Sequence, residues 1–273
     1  MPAITVDATR CKKDGLCVEV CPLQILEMPF GNLPNTRKGY SDRCVQCGHC
    51  MAVCPHEALL LEGVTREELE PVEPSRNSSP DALRALIRSR RSIRLFRDEP
   101  IEQSVIEQVL DTARWAPSGK NVQPVRYTVL SGKERVREVA EQSIAYFRLF
   151  TQEQPEMAAA WGAFGLVKAW DAGNDMVLRD APQLIAAHGP KENPMLSGSA
   201  TIALTQVELL IAAHGFGACW AGYVHYAAGA YAPVRKALGL PDGDALAGTL
   251  MVGKARVKYR AITPRKPLSV TWL

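Results

Sequence analysis

The spacing of apolar residues predicts three helices in the part of the chain that follows residue 80. The first helix begins there and carries Leu83 and Ile87 on one face. A second helix is predicted over 102–115, where apolar residues recur every three or four positions. A third, long helix is predicted over 197–214, and it is apolar around most of its circumference, as a buried helix is.

Three short apolar runs predict strands. They cover residues 125–130, 183–187 and 246–252, and each is bounded by glycine, proline or polar residues. Helices and strands are mixed without a regular βαβα alternation. The pattern therefore predicts an α+β fold for this part of the chain rather than a doubly wound parallel sheet.

The first 62 residues are organised differently, as an internal repeat. A cysteine run that begins at Cys11 is followed, 33 residues on, by a similar run that begins at Cys44. We therefore predict a small domain over 1–62 with pseudo-two-fold symmetry. Residues 63–80 are rich in proline, glutamate and serine and are predicted to form a linker, which leaves 81–273 as a second domain.

Seven of the eight cysteines lie in the first 54 residues. A disulfide framework is one interpretation, but seven is an odd number and no secretion leader is apparent. The second run, C-x2-C-x2-C-x3-C-P, is the ligand pattern of bacterial two-cluster ferredoxins. The first run matches it except that Asp14 stands where the second cysteine belongs. Over about residues 1–62, the chain therefore resembles these ferredoxins.

In such a run three cysteines hold one iron–sulfur cluster and the fourth reaches the other cluster. This crossed rule predicts two sets of ligands in the chain. Cluster II takes Cys21, Cys44, Cys47 and Cys50. Cluster I takes Cys11, Cys17 and Cys54, with Asp14 as its fourth ligand.

Asp14 leaves two forms of cluster I open. A carboxylate is a harder donor than a thiolate and holds an iron–sulfur iron less tightly. Either Asp14 ligates a 4Fe-4S cluster, or that corner iron is lost and a 3Fe-4S cluster remains. The place of the carboxylate in the motif favours the first form.

Zinc is the alternative metal for these cysteines, because two CxxC pairs can form a structural zinc site. Seven cysteines, two Cys-Pro pairs and the internal repeat fit zinc poorly. His49 and His56 are interpreted as surface or outer residues rather than ligands, because thiolates already satisfy the cluster beside them.

Five arginines lie within residues 88–97. One interpretation is nucleic-acid binding, which a formal net charge of only +3 does not support. Two others are a solvated helix end and a phosphate site, since guanidinium groups bind phosphate through paired hydrogen bonds. The chemistry of the arginines alone favours neither of these two.

Motifs elsewhere in the chain decide between them. Residues 90–94 (RRSIR), 117–124 (PSGKNVQP), the glycine-rich 215–223 and the ending 259–268 together resemble the nitroreductase flavoprotein family. The resemblance covers about residues 80–273, so the whole chain looks like a ferredoxin–nitroreductase fusion. It implies a mixed or antiparallel central sheet flanked by helices.

The resemblance also implies FMN, bound at the interface of a homodimer. The implied flavin-binding residues are Arg90, Arg91, Ser92, Arg94, Pro117, Ser118, Asn121, Gln123, Trp220, Ala221, Gly222 and Arg265. Arg265 is implied near the phosphate and Arg94 near the N1–O2 edge of the flavin. The loop of residues 117–123 is implied to meet the flavin partly across the dimer. Val125, where many members of the family have a tryptophan, is a departure from the pattern.

These features predict an enzyme, a flavin-dependent oxidoreductase that passes electrons between iron–sulfur clusters, FMN and a small organic substrate on the flavin face. An external one-electron redox partner is expected for this hypothesis. An NAD(P)H-dependent nitro or quinone reductase with accessory clusters is one alternative, and a non-catalytic redox carrier or sensor is another. No residue is assigned as a catalytic acid or base.

The net charge and the hydropathy bear on which partners the protein has and where in the cell it works. No nucleic-acid or membrane partner is expected, because the net charge is small and the most apolar helix contains Gln206 and Glu208. No charged stretch followed by a long apolar run is apparent near the N-terminus. We therefore expect a soluble, cytoplasmic protein.

Overall fold

The computed structural model describes residues 4–72 and 79–273 of the chain. Packing divides the chain into two compact units. The first unit comprises Met1–Asn77 together with the short segment Gly119–Val122, and the second comprises Ser78–Ser118 and Gln123–Leu273. Part of the predicted linker, residues 73–78, lies outside the described residues.

The first unit is built from short elements around two small sheets. Its strands are β1 (Ile4–Val6), β2 (Leu26–Glu27), β3 (Asn35–Thr36) and β4 (Leu59–Leu61), and its helices are α1 (Leu16–Glu19) and α2 (His49–Ala52). Strand β1 pairs antiparallel with β4, and β2 pairs antiparallel with β3. A small apolar core under the sheets contains Ile25, Leu26, Met51, Leu59 and Leu61.

The backbone of this unit repeats itself at the spacing of the cysteine runs. Three pairs of residues with positive φ, each 33 positions apart, adopt nearly equal values: Lys13 and Gln46 (59° and 51°), Gly15 and Gly48 (79° and 73°), Gln24 and Glu57 (51° and 49°). Helix α2 likewise begins 33 residues after α1. The pseudo-two-fold repeat predicted from the sequence is thus confirmed in the backbone.

Residues after β4 are more ordered than the predicted linker. A 3₁₀ turn covers Arg66–Glu68, and its capping box joins the Thr65 amide to the Glu68 carboxylate at 2.7 Å. The Arg66 guanidinium donates two hydrogen bonds to the carbonyl of Glu57, at 3.0 and 3.2 Å. The first part of the predicted linker is therefore fastened to the first unit.

The second unit has a four-stranded antiparallel sheet in the order β5-β6-β8-β7. The strands are β5 (Arg126–Ser131), β6 (Gln183–Pro190), β7 (Gly217–Trp220) and β8 (Asp244–Gly253). The helices are α3 (Pro80–Ser89), α4 (Gln103–Ala113), α5 (Lys133–Glu153), α6 (Pro155–Ala160), α7 (Ala163–Asp171), α8 (Leu196–Ala213), α9 (Gly222–Ala230) and α10 (Ala232–Ala237). The α+β fold and each predicted helix and strand are confirmed.

Helices cover both faces of the sheet. Strand β6 is buried along almost its whole length, and successive side chains enter different cores. Leu184 and Ala186 pack with α5 and α9, while Ile185 and Ala187 pack with α4 and α8. A strand that is buried on both faces is continuously apolar, which explains the run at 183–187.

Helix α8 is the one helix in the described part of the chain that is long and apolar enough to cross a membrane by length and composition, with a mean hydropathy of 1.4. It packs against β6, β7 and β8, and Ala200, Leu204 and Val207 lie in the core. This is the packing of a core helix, as the sequence predicts.

Candidate functional site

One cavity of the first unit gathers the predicted ligands of cluster II. The cysteines that line it are Cys21, Cys44, Cys47 and Cys50. Three of them come from the second half of the repeat, whereas Cys21 crosses over from the first half. The fold therefore brings together the ligand set that the crossed rule predicts.

A second cavity gathers the predicted ligands of cluster I. Its lining includes Cys11, Asp14, Cys17 and Cys54. Here Cys54 crosses over from the second half of the repeat, and Asp14 stands among the three cysteines. Each cavity thus offers four potential ligands.

Disulfides and zinc are the alternatives to iron–sulfur clusters for these cysteines. No disulfide joins any two cysteines in the described part of the chain. Within residues 4–72 and 79–273, no three histidine, cysteine, aspartate or glutamate side chains converge closely enough to hold a single metal ion. A mononuclear zinc site needs its ligands about 2.0–2.3 Å from one centre, whereas a cubane spreads them over separate irons.

Two short helices direct cysteines into the cavities. Cys17 is the second residue of α1, and Cys50 is the second residue of α2. Each helix follows a glycine, Gly15 or Gly48, whose positive φ a residue with a side chain would adopt only with strain. These glycines allow the sharp turns that aim the two thiols inward.

The sulfur atoms lie in surroundings that suit a cluster. The amide of Ala58 donates a hydrogen bond to Cys54 Sγ at 3.3 Å, and such bonds tune cluster potentials. Burial raises the pKa of the Cys50 thiol to about 11. Burial, together with the neighbouring Cys54 and Asp14, also raises the pKa of the Cys17 thiol. Iron binding would therefore release the protons that these thiols hold at neutral pH.

Asp14 is held by its own helix and faces a histidine. One carboxylate oxygen accepts a hydrogen bond from the amide of Leu16 at 3.1 Å, and the other lies 3.9 Å from Nε2 of His56. The carboxylate therefore has a defined orientation at the edge of the cluster I cavity. This fits the role of a fourth ligand that the sequence suggests.

We expect the residue at position 14 to set the iron count of cluster I. Asp14→Cys will give a four-iron cluster I that survives mild oxidation, because a thiolate holds the corner iron more tightly. Asp14→Asn will give a three-iron cluster I, one iron fewer per chain. Iron analysis and EPR of the oxidised protein measure the difference, and Asp42→Asn, on the same unit, is the matched control. Equal iron content in the two Asp14 variants would remove Asp14 from the ligand set.

In the second unit, the arginine-rich segment runs beside β7. Ser92 forms an isolated parallel β-bridge with Ala218, and the amide of Ile93 donates a hydrogen bond to the Ala218 carbonyl at 2.9 Å. A Cβ on Gly217 would lie 2.7–2.8 Å from the Ile93 side chain, so only glycine permits this approach. The first and third flavin motifs of the sequence are therefore neighbours in the fold.

The arginines of this segment have different surroundings. Arg90 is partly buried and lies 3.1 Å from a carboxylate oxygen of the buried Glu208. Ion pairs in the described ranges leave Arg91 and Arg94 without a carboxylate partner. The Ser92 hydroxyl lies at the Cys219 thiol. Two guanidinium groups without a carboxylate and one hydroxyl fit a phosphate, whereas Arg90 is held by Glu208.

The segment from Trp220 to Gly222 is fixed by Thr249. The amide of Ala221 donates to the Thr249 carbonyl at 2.9 Å, and the Thr249 hydroxyl donates to the Ala221 carbonyl at 3.0 Å. Gly222 then opens α9 with an exposed backbone. A flat ring could approach the backbone here without meeting a side chain at position 222.

The loop of the second flavin motif is strained. Lys120, Asn121 and Gln123 all have positive φ, between 43° and 54°. The base of the loop is closed by a hydrogen bond from the Gln123 amide to Ser118 Oγ at 2.9 Å. Pro117 precedes this closed loop. Such a loop holds a fixed shape that suits a binding role.

Ser118 and Gln123 line a cavity of about 110 Å³ in the second unit. The hydroxyl of Tyr127, in the same lining, is buried without a hydrogen-bond partner, and burial raises its pKa to about 12. Asn121, at the tip of the loop, belongs to the first unit. Its amide donates to the carbonyls of Val45 and Gln46, at 3.2 and 3.1 Å.

The predicted flavin segments differ in their contacts within the described chain. The Arg90–Arg94 segment lies beside β7, and no hydrogen bond or ion pair among the described residues joins it to Pro117 or Ser118. Arg265 lies on the exposed, irregular tail that follows β8.

Two supporting residues escaped the sequence analysis. Glu208 holds Arg90, and Thr249 holds Ala221. An acidic residue inside an otherwise apolar helix was the available signal for Glu208, because a buried carboxylate needs a partner. Nothing in the sequence of β8 distinguishes Thr249 from any other small strand residue.

Known protein families match both units. The nitroreductase family matches residues 87–254, which is more than half of the chain, and the 4Fe-4S dicluster domain matches residues 9–59. The chain belongs to the nitroreductase family. It carries a 4Fe-4S dicluster ferredoxin domain at its N-terminal side, so the predicted fusion is confirmed.

Solved nitroreductases have the same fold. A nitroreductase with bound FMN from Bacteroides fragilis matches with a TM-score of 0.57 at 16% identity, over 69% of this chain and 98% of that one. A nitroreductase with bound FMN from Desulfitobacterium hafniense matches with a TM-score of 0.55 at 22% identity, over 69% of this chain and 98% of that one.

Similarity to curated relatives is local. The nitrobenzene nitroreductase of Ectopseudomonas oleovorans is 42% identical over 52 residues, which is 19% of this chain and 23% of that protein. The aligned part thus spans about a quarter of the relative's length.

Proposed function

We propose that this nitroreductase-family protein is an FMN-dependent oxidoreductase that passes electrons between two iron–sulfur clusters, FMN and a small organic substrate. The observation that carries the proposal is the sorting of seven cysteines and Asp14 into two four-ligand cavities. These cavities belong to a chain whose larger unit is a nitroreductase. When bound, the clusters carry single electrons, and FMN carries two and can deliver a hydride.

The first unit's contribution is to hold two clusters and to shape their surroundings. We propose 4Fe-4S at cluster II, with four cysteines, and an Asp14-ligated 4Fe-4S or a 3Fe-4S at cluster I. On the cluster I side, the Ala58 amide donates a hydrogen bond to Cys54 Sγ. Together with the carboxylate of Asp14, it gives cluster I an environment unlike that of cluster II.

The second unit's contribution is to anchor and orient FMN. Arg91, Arg94 and Ser92 would hold the phosphate and the electron-rich edge of the ring, where positive charge stabilises the reduced flavin. The backbone of Ala221 and Gly222 would pass the ring, kept in place by Thr249. The two solved nitroreductases with bound FMN support this choice of cofactor.

A homodimer would complete the flavin site. Among the described residues of one chain, Ser118 and Arg265 make no hydrogen bond or ion pair with the Arg90–Arg94 segment. It also exposes apolar surface on α3, where Leu83 and Ile87 are 49% and 50% exposed, and in the tail at Leu268 and Trp272. A second copy of the chain would cover these apolar groups and bring its loop and tail to the flavin.

The dimer proposal predicts that charge on the apolar face of α3 will separate the subunits. We expect Leu83→Asp with Ile87→Asp to give a monomer by analytical ultracentrifugation and to lose most of its FMN, while the iron content stays unchanged. Arg84→Asp, on the same helix and exposed, is the matched control and will remain a dimer with FMN. A doubly substituted protein that stays dimeric and keeps its flavin would contradict the proposed interface.

Anaerobic stopped-flow absorption tests the proposed function. A low-potential one-electron reductant is expected to bleach the cluster bands first, and the flavin band near 450 nm later. Turnover with a nitroaromatic or quinone should then reoxidise both. Rapid flavin reduction by NADPH, with the clusters following, would instead favour the NAD(P)H-dependent reductase with accessory clusters. Absence of turnover with every acceptor would favour the carrier or sensor.

We propose a cytoplasmic setting for this chemistry. Thiolate ligands stay reduced there, whereas an oxidising compartment would promote disulfides between the closely spaced cysteines.

A further inference from the structure

The two cluster cavities differ in charge, although the repeat makes their backbones alike. The lining of the cluster II cavity contains no lysine, arginine, aspartate or glutamate. The cluster I cavity is lined by Lys12 and Lys13, both exposed, as well as by Asp14. We call the end of the first unit at the cluster II cavity the neutral pole and the end at the cluster I cavity the charged pole.

The charged pole also carries an exposed aromatic ring. The loop between β2 and β3 begins at Met28 and returns at Pro34, and both residues line the cluster I cavity. Lys13 Nζ donates a hydrogen bond to the Gly31 carbonyl, which fastens the tip of the loop to the cysteine run. Phe30, next to this anchor, is fully exposed at 105%. We call Lys12, Lys13 and Phe30 the cluster I face.

The nearby carboxylates do not cancel the positive charge of this face. Asp14 accepts the Leu16 amide and is a predicted iron ligand. Asp7 and Glu57 lie within ion-pair distance of Arg10 and Arg66. The exposed ammonium group of Lys12 can therefore pair with an outside carboxylate, as can the N–H groups of Lys13 that are not donated to Gly31.

The neutral pole is already contacted by another segment of the same unit. The segment Gly119–Val122 packs there, and the Asn121 amide donates to the carbonyls of Val45 and Gln46, the two residues between Cys44 and Cys47. The backbone around cluster II is thus engaged by the chain itself. By contrast, all three residues of the cluster I face are exposed.

We propose that the cluster I face docks an acidic one-electron redox protein. The inference rests on the proposed function and names its partner. The aromatic ring would supply the apolar centre of the contact, and the two lysines its charged rim. The step is the transfer of one electron with no bond made or broken and no proton moved. With cluster I in place, the partner would be oxidised by one electron and the cluster reduced by one, and two such transfers would supply the pair of electrons that FMN accepts.

Binding measurements on the fully loaded, oxidised protein test this surface without turnover. The probe is an oxidised acidic flavodoxin, titrated by calorimetry at about 20 mM salt, where charge attraction is weakly screened. We expect Lys12→Glu and Phe30→Ser each to raise the Kd about tenfold. Raising the salt concentration should weaken binding of the unaltered protein and have less effect on Lys12→Glu.

Lys38→Glu is the matched control, because it makes the same charge change at an exposed lysine of the same unit that does not line the cluster I cavity. We expect it to change the Kd less than about twofold. A basic cytochrome c is the control probe, and Lys12→Glu should bind it more tightly than the unaltered protein does.

Three results would overturn the proposal: no flavodoxin binding by the unaltered protein at low salt, unchanged binding by both variants, or equal weakening by Lys38→Glu. Failure of the proposed function would be recognised by a different experimental result. In that case a small reductant such as reduced methyl viologen would not carry electrons through the clusters to the flavin, whichever variant is used.

Discussion

Replacing Cys50 by alanine will remove at least one iron atom from cluster II. The Cys50 thiol is directed into the cluster II cavity from the second position of α2, where burial raises its pKa to about 11. Alanine offers no donor atom, so the iron at that corner would have no protein ligand. We expect between one and four fewer irons per chain, with loss of the EPR signal of the reduced cluster II.

Cys219→Ala provides the matched comparison. Cys219 is also buried, but it lies in β7 of the second unit beside Ser92 rather than in a cluster cavity. Its removal should leave the iron content unchanged. Iron analysis of the two variants, purified without oxygen, decides the matter. If both variants keep all their iron, Cys50 is not a ligand of cluster II.

Replacing Gly217 by alanine will weaken FMN binding by about tenfold and lower the stability of the protein by about 1–3 kcal/mol. The added Cβ would lie 2.7–2.8 Å from three atoms of Ile93, and the branched side chain of Ile93 has little freedom to move. Ile93 lies between Ser92 and Arg94, so its displacement would shift the two residues proposed to hold FMN. Flavin fluorescence titration and thermal unfolding measure the two effects.

Two further variants separate this steric effect from a general loss of folding. Gly165→Ala, in α7, adds the same methyl group where nothing lies within 4 Å, and it should stabilise the protein by about 0.5–1 kcal/mol. Ile93→Ala combined with Gly217→Ala removes two of the three close contacts and should recover part of the FMN affinity. If the double variant binds FMN no better than Gly217→Ala alone, the contact with Ile93 is not the cause.

Much of the fold could be predicted because its signals are local. The 33-residue repeat in the sequence corresponds to pairs of residues with nearly equal φ angles in the structure. The apolar run at 183–187 corresponds to strand β6, which is buried on both faces. Helices α5 to α7 had no prediction, although Val136, Val139, Ala140 and Phe147 have helical spacing and are all buried. That signal was present in the sequence and was missed.

The candidate site divides in the same way. The cysteines and Asp14 could be named because ligand spacing within a short run is itself the signal. The partners of the flavin segment could not be named, because Glu208 and Thr249 lie far from Arg90 and Ala221 along the chain. Their roles depend on which elements lie side by side, which no local pattern encodes.

The amino-acid sequence by itself determined that this protein carries two cluster-ligand runs, a repeat and a nitroreductase unit, because each is written in contiguous residues. Only the tertiary structure decided that Gly217 lets Ile93 approach β7. It also decided that the two cluster poles differ in charge and exposure. The physical reason is that close packing and burial are properties of neighbours in space, and folding brings together residues that the chain keeps apart.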